Sequence, residues 1–264
     1  MQNLINLCVK KKVRLIQIST VSIAGDNVDH KIPAGTKLAE NDFYIGQEVT
    51  SNKYVYSKFQ AEEIVLAAVG QGELDAKIMR VGNLMSRVSD GEFQINFMTN
   101  AFMRDLRSYA VLGKFPVSLM DESTEFSPID ETAHMIVKLA DTNADFTVFH
   151  VVNSHRVQMG DVIHAMNDYG IKIAVVADDN FNATLTEAMR DEKKNLLVSN
   201  LIAYNESGSH IVEEIDHESF FTVKALYRLN CRWRITDDNY IRNAIQAVDT
   251  LGFFDAEGQV LSTA

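Results

Sequence analysis

"SNKYVYSKFQAEEIVLAA", residues 51–68, decides how the rest of the chain is read. Ala61, Ile64, Val65 and Ala68 fall on one stripe at helical spacing, which predicts a helix from about Tyr54 to Ala68. The glycines of the following "VGQGEL" suit its C-terminus. Tyr54 and Lys58 stand at i and i+4, on one face and about one turn apart. Of the eight tyrosines, Tyr54 alone has a lysine at that spacing; Tyr56 has Gln60 there. An ammonium beside a phenol favours the phenolate, so a pair of this kind can move a proton near neutrality. The plainer reading is an exposed lysine lying along a helix.

The segments on either side separate these readings. Upstream, "VRLIQIS" (13–19) is a short apolar run followed by "TVSIAGDN", the pattern of a buried parallel strand with a loop at its C-terminal end. Downstream, "AKIMRVGN" (76–83) is a second such strand. Strand, helix and strand at this spacing form a right-handed crossover unit of an α/β sheet. "FTVFHVVN" (146–153) and "IKIAVVA" (171–177) read as further strands. "SPIDETAHMIVKLAD" (127–141) reads as a helix, with Ser127 or Asp130 as its cap and Pro128 in its first turn. Residues 2–9 suit the end of a helix, and 24–50, with three glycines and a proline, suit a long loop. From about 179 onward the pattern is mainly helical.

The 264 residues carry a net charge of −11, which argues against broad nucleic-acid or anionic-membrane binding. The basic "KKKVR" (10–14) reads as a solvated helix end leading into a strand. Cys8 and Cys231 lie far apart without ligand-spaced partners and fit reduced thiols in a cytoplasmic protein. The charges at the start follow the apolar run, unlike a secretory signal, and no apolar run reaches the roughly 18–20 residues of a membrane span. His150 and His155 bracket a strand end without the neighbours a metal site needs. The acidic "MDESTEF" (120–126) reads as a solvated loop, Met79, Met85, Met98 and Met103 as core or pocket filling, and Trp233 as a packing anchor between the last helices.

Three signals then meet at strand ends and a helix start. Ser19 and Thr20 close the first strand, where α/β sheets place their ligands. Thr20 can donate to a substrate carbonyl that Tyr54 protonates. Gly82 after the next strand lets backbone approach a flat ligand. With "NKYVYSKFQAEEIV", "MRVGNLMSRVSDGEFQINF", "EFSPIDETAHMIVKLA" and "VFHVVNSHRVQMGDVI", these residues resemble an extended short-chain dehydrogenase/reductase. More closely, the chain is similar to the thioester reductase domain that ends many nonribosomal peptide synthetases, over nearly its whole length and most specifically over 76–137. Carboxylic acid and fatty acyl reductases are less similar.

The resemblance implies roles at the matched positions. Thr20 would bind the carbonyl, Tyr54 would donate the proton, and Lys58 would assist Tyr54 and hold the nicotinamide ribose. Ser19, Val81, Gly82 and Asn83 would lie against the cofactor, and Ser22, Asn83 and Arg87 against the substrate. NADPH would reduce a thioester carried on the phosphopantetheine arm of a peptidyl or acyl carrier protein, releasing an aldehyde or, on further reduction, an alcohol. Arg104, Arg107 and Lys114 are candidates for a basic carrier-docking patch.

None of the 13 glycines forms GxGxxG or GxxGxxG, the turn that cradles a pyrophosphate. The expected fold is therefore the C-terminal part of a Rossmann-like parallel sheet, with the N-terminal glycine-rich βαβ half absent and a mainly helical substrate domain. Residues 1–82 and 127–152 would form the partial Rossmann-like domain, and 83–126 and 153–264 the substrate-binding one. Two rival readings are a non-catalytic remnant or carrier-binding module, and a sugar-nucleotide epimerase of the same superfamily.

Overall fold

A computed structural model of the chain describes residues 1–95, 97–201 and 212–254. In chain order its principal elements are α1 (Gln2–Lys11), β1 (Leu15–Thr20), β2 (Asp26–Val28), α2 (Lys53–Gly70), β3 (Ala76–Val81), α3 (Ala101–Leu112), β4 (Lys114–Pro116), α4 (Ile129–Ala140), β5 (Val148–Val151), α5 (Met159–Tyr169), β6 (Ala174–Val176), α6 (Asp178–Met189), α7 (Glu192–Val198), β7 (Val212–Glu214), α8 (Phe220–Arg228) and α9 (Asp238–Asp249). The chain divides into two compact units.

The first unit comprises Met1–Leu84, Glu125–Ser154 and Ser209–Arg234. Its centre is an all-parallel sheet of order β1–β3–β5. All six residues of β3 are buried, as expected of a central strand covered on both faces. Alternate residues face opposite ways. Ile78 and Val148 join Leu15 and Ala76 in a cluster with Val65 and Ala68 of α2 and Ile5 and Cys8 of α1. Met79, Val81, Phe149 and Val151 pack with Met135 and Leu139 of α4 and Leu226 of α8. Trp233 belongs to this second cluster, so it anchors the sheet to α4 and α8 rather than sitting between the last helices.

Three local expectations need correction. The buried stripe of α2 is Val55, Glu62, Val65 and Ala68, while Ile64 is exposed. Glu62 enters the core because Arg80 of β3 neutralises it there, and the helix turns accordingly. At α4 neither Ser127 nor Asp130 caps: Pro128 occupies the cap position, and the Ser127 hydroxyl instead bonds Glu125 and receives the Asn153 N–H. The loop over 24–50 contains the short strand β2, which pairs antiparallel with β7.

The second unit comprises Met85–Thr124, His155–Gly208 and Ile235–Ala264 and is mainly helical. The expected strand at 171–177 is confined to β6, which pairs in parallel with β4 in a two-stranded sheet of this unit. Met85 and Met103 are core residues here, as Met79 is in the first unit. Arg107 lies over the Phe253 ring, and the Lys114 ammonium donates to Asn180 and Thr184, both 2.8 Å away. Of the three residues read as a docking patch, Arg104 is the exposed one, and the other two have intramolecular roles.

Candidate active site

The parallel register of the first unit sets Thr20 beside Val81, so the segments that follow β1 and β3 leave the sheet at the same level. Thr20 caps the short turn Val21–Ala24: its Oγ1 accepts the Ser22 N–H (3.1 Å) and donates to the Ser22 hydroxyl (3.0 Å). Ser19 is buried, and its Oγ has no hydrogen-bond partner among the described residues. A hydroxyl in that state at a strand end is one that a bound group can satisfy.

α2 begins at the same end of the sheet. The Asn52 side chain caps it, accepting the N–H groups of Tyr54 (3.0 Å) and Val55 (3.3 Å). Tyr54, in the first turn, is 54% exposed, so its phenol is open to a ligand. One turn on, the Lys58 ammonium donates to the Ile18 carbonyl of β1 (3.0 Å) and lies 5.7 Å from the centre of the Tyr54 ring. The structure thus brings Ser19, Thr20, Ser22, Tyr54, Lys58, Val81, Gly82 and Asn83 to one end of one sheet. Arg87 lies in the second unit, where it pairs with Asp90 and Glu92.

Glu125 was not foreseen as part of this region. It comes from the acidic run read as a solvated loop, yet it is buried and accepts the Asn83 N–H at 2.7 Å. A Cβ on Gly82 would run into its carboxylate, so glycine at 82 is required by that packing. Nothing in the local pattern marks Glu125, since its burial depends on a partner 42 residues earlier.

Beside Tyr54 is a cavity of about 220 Å³, lined also by Ser22, Ser51 and Asn52 and by the carboxylates Asp26, Glu48 and Glu214. Burial pushes the Asp26 carboxyl above the usual carboxylate range; a hydrogen bond from Ser51 offsets part of this, and the neighbouring Glu48 charge adds to it. Such a lining disfavours anionic groups close by.

A family model, described as NAD dependent epimerase/dehydratase family, matches residues 1–153. The chain belongs to that family. Among solved structures, this epimerase/dehydratase-family chain resembles a thiolation-reductase di-domain from an archaeal non-ribosomal peptide synthetase, with 31% identity and a TM-score of 0.80 over 92% of this chain and 50% of that one. It also resembles the aureusimine biosynthetic cluster reductase domain, with 26% identity and a TM-score of 0.78 over 95% of this chain and 64% of that one. The terminal R domain of the myxalamid PKS-NRPS pathway, at 22% identity, shares the fold, with a TM-score of 0.74 over 92% and 59%. The chain therefore spans about half to two thirds of the length of the structures it matches. No curated protein sequence matches it. No helix among the described residues is long and apolar enough to cross a membrane.

Proposed function

We propose that this family member takes part in the NADPH-dependent reductive release of an acyl or peptidyl thioester from the phosphopantetheine arm of a carrier protein, giving an aldehyde. The observation that carries this reading is the convergence of Thr20, Tyr54 and Lys58 at one end of the parallel sheet, with Lys58 tied to the strand that bears Thr20. Likeness to the reductase part of a peptide synthetase supports the substrate class.

The nicotinamide, when bound, supplies the hydride to the thioester carbonyl carbon. Ser19, Lys58, Val81 and Gly82 would hold that end of the cofactor, and the unsatisfied Ser19 hydroxyl fits such a role. Thr20, with Ser22, would hold the carbonyl oxygen by hydrogen bonding. Tyr54 would deliver a proton to that oxygen, giving a hemithioacetal, and take a proton back as the C–S bond breaks and the thiolate leaves.

Substitution of Tyr54 by Phe tests the reading. With an acyl-pantetheine thioester and NADPH, turnover should fall by roughly 10²–10⁴-fold while the protein stays folded. Undiminished NADPH oxidation by Tyr54→Phe would remove Tyr54 from the chemistry. Absence of thioester turnover in the unmodified protein would favour a non-catalytic carrier-binding role.

A further inference from the structure

Three fully buried polar side chains in the first unit take no part in the chemistry above. Glu62 of α2 and Arg80 of β3 have no exposed side-chain surface and form a forked ion pair, with Arg80 Nε 3.1 Å and 3.2 Å from the two carboxylate oxygens and Nη2 2.9 Å from Oε2. Arg80 Nη1 lies 3.0 Å from His150 Nε2, and His150 Nδ1 lies 2.6 Å from the Glu218 carbonyl. An arginine only donates, so Nε2 accepts and the neutral ring gives its Nδ1–H to Glu218. The backbone N–H of His150 donates to Thr222 Oγ1 (2.8 Å), whose own backbone N–H donates to Glu40 (2.8 Å). The line runs from α2 across β3 and β5 to α8.

A buried ion pair is a poor source of net stability, because desolvation offsets the attraction; its best-attested use is to fix register. The apolar contacts of α2, Val55, Val65 and Ala68 with the partly buried Leu66 and Val69, gain by excluding water and are non-directional, so they admit small rotations and slides. The fork tolerates neither. Glu62 stands one turn beyond Lys58 and two beyond Tyr54 on the same side of the helix, about 6 Å and 12 Å along the axis. Arg80 is the register partner of Ser19, and Lys58 bonds the carbonyl of Ile18, the residue before it. Successive turns of α2 are thereby fixed to adjacent strands at the same level.

We infer that the Glu62–Arg80 fork, braced by His150, is a positioning device that sets the height and rotation of α2 and so places Lys58 and Tyr54 over the end of β1. The catalytic consequence rests on the function proposed above; the positional one does not.

The test replaces the pair by apolar side chains of similar size, Arg80→Met with Glu62→Leu, which removes the fork without leaving a buried charge. Three quantities are measured on the full chain: the thermal midpoint, hydrogen exchange of the amides of 53–59 against those of β3, and kcat and KM for an acyl-pantetheine thioester. The expected result is an unchanged or higher midpoint, roughly tenfold faster exchange in 53–59 with β3 still protected, and kcat lower by roughly 10²-fold with KM little altered. A folded double variant with unchanged exchange in 53–59 overturns the inference, whatever its midpoint. If the double variant does not fold, the isosteric Glu62→Gln takes its place in the exchange measurement: faster exchange in 53–59 supports the inference, and unchanged exchange overturns it. A wild-type protein that reduces no thioester would sink the proposed reaction, and the exchange measurement would still decide the positional claim.

Discussion

On the side of the three-stranded sheet covered by α4 and α8, β3 and β5 present Met79, Val81, Phe149 and Val151 to Met135, Leu139 and Leu226. On the side covered by α2, the intervening residue Arg80 meets Glu62 and His150, and all three are as fully buried as the apolar set opposite. The same strands thus carry two kinds of cohesion. The apolar side gains by excluding water, a force roughly proportional to area and indifferent to small rotations. The α2 side gains in the same way through the cluster around Val65, Ala68 and Ile78, and the Glu62–Arg80 fork adds little net free energy there but strict geometry. Tyr54 and Lys58 are on the helix that carries the fork, so on that side the ion pair adds aim to a contact that apolar burial holds together.

The largest test of this contrast is Phe149→Ala. Phe149 is fully buried and stacks on Phe221 at 5.8 Å. Its truncation should cost about 3–5 kcal/mol of unfolding free energy, measured by urea denaturation. Phe149 itself does not titrate, though the Lys77 ammonium lies 6.0 Å from its ring centre, and the loss should be the same at pH 5 and pH 8. A loss that varied strongly with pH would mean that the two sides of the sheet are coupled.

The charged side should respond to acid. Burial, then the Arg80 charge, pushes the His150 imidazole from 6.5 down to about 3, with its bond to the Glu218 carbonyl opposing and His217 adding to the fall. The folded state therefore keeps His150 neutral, while the unfolded chain protonates it below about 6.5. Its contribution is complete above that pH and is lost as pH falls toward 3, at about 1.4 kcal/mol per unit. Between pH 6.5 and 5 this amounts to about 2 kcal/mol. His150→Gln should flatten the slope of stability against pH by that amount, whereas Phe149→Ala should leave the slope intact. An unchanged slope in His150→Gln would show that other groups govern the acid limb.

The unequal legibility of the two sides has the same origin. β1 and β3 could be read from the sequence as short, largely apolar runs and α2 from its helical spacing, and the strand–helix–strand order set Thr20, Tyr54 and Lys58 at one end of the sheet. Glu62 could not be read this way: within "AEEIV" it resembles a solvated residue, and its burial follows from Arg80, 18 residues on. The available signal was Arg80 itself, a charge inside the apolar "KIMRV" that some other element had to neutralise. Glu125 gave no such signal, because its partner is the backbone N–H of Asn83. The strand expected at 171–177 was apolar enough to be noticed, but its partner "KFP" was too short and too proline-marked to show that the two would form a separate sheet.

The smallest expected effect separates two ways of ordering the start of α2. Asn52 holds the first turn by accepting the N–H groups of Tyr54 and Val55, whereas Glu62 holds the third turn by its fork with Arg80. Asn52 is exposed, so in Asn52→Ala water takes over the Tyr54 N–H, and the half-buried Val55 N–H loses its side-chain partner. The cost should be about 1 kcal/mol, seen as a small fall in the urea midpoint. If the fork sets the position of the helix, losing the cap frays the first turn without moving the axis, and kcat should fall far less than in Arg80→Met with Glu62→Leu. If Asn52→Ala costs as much activity as the double variant, placement of Tyr54 resides in its own turn. The buried charges would then serve the α2–sheet contact without directing the chemistry.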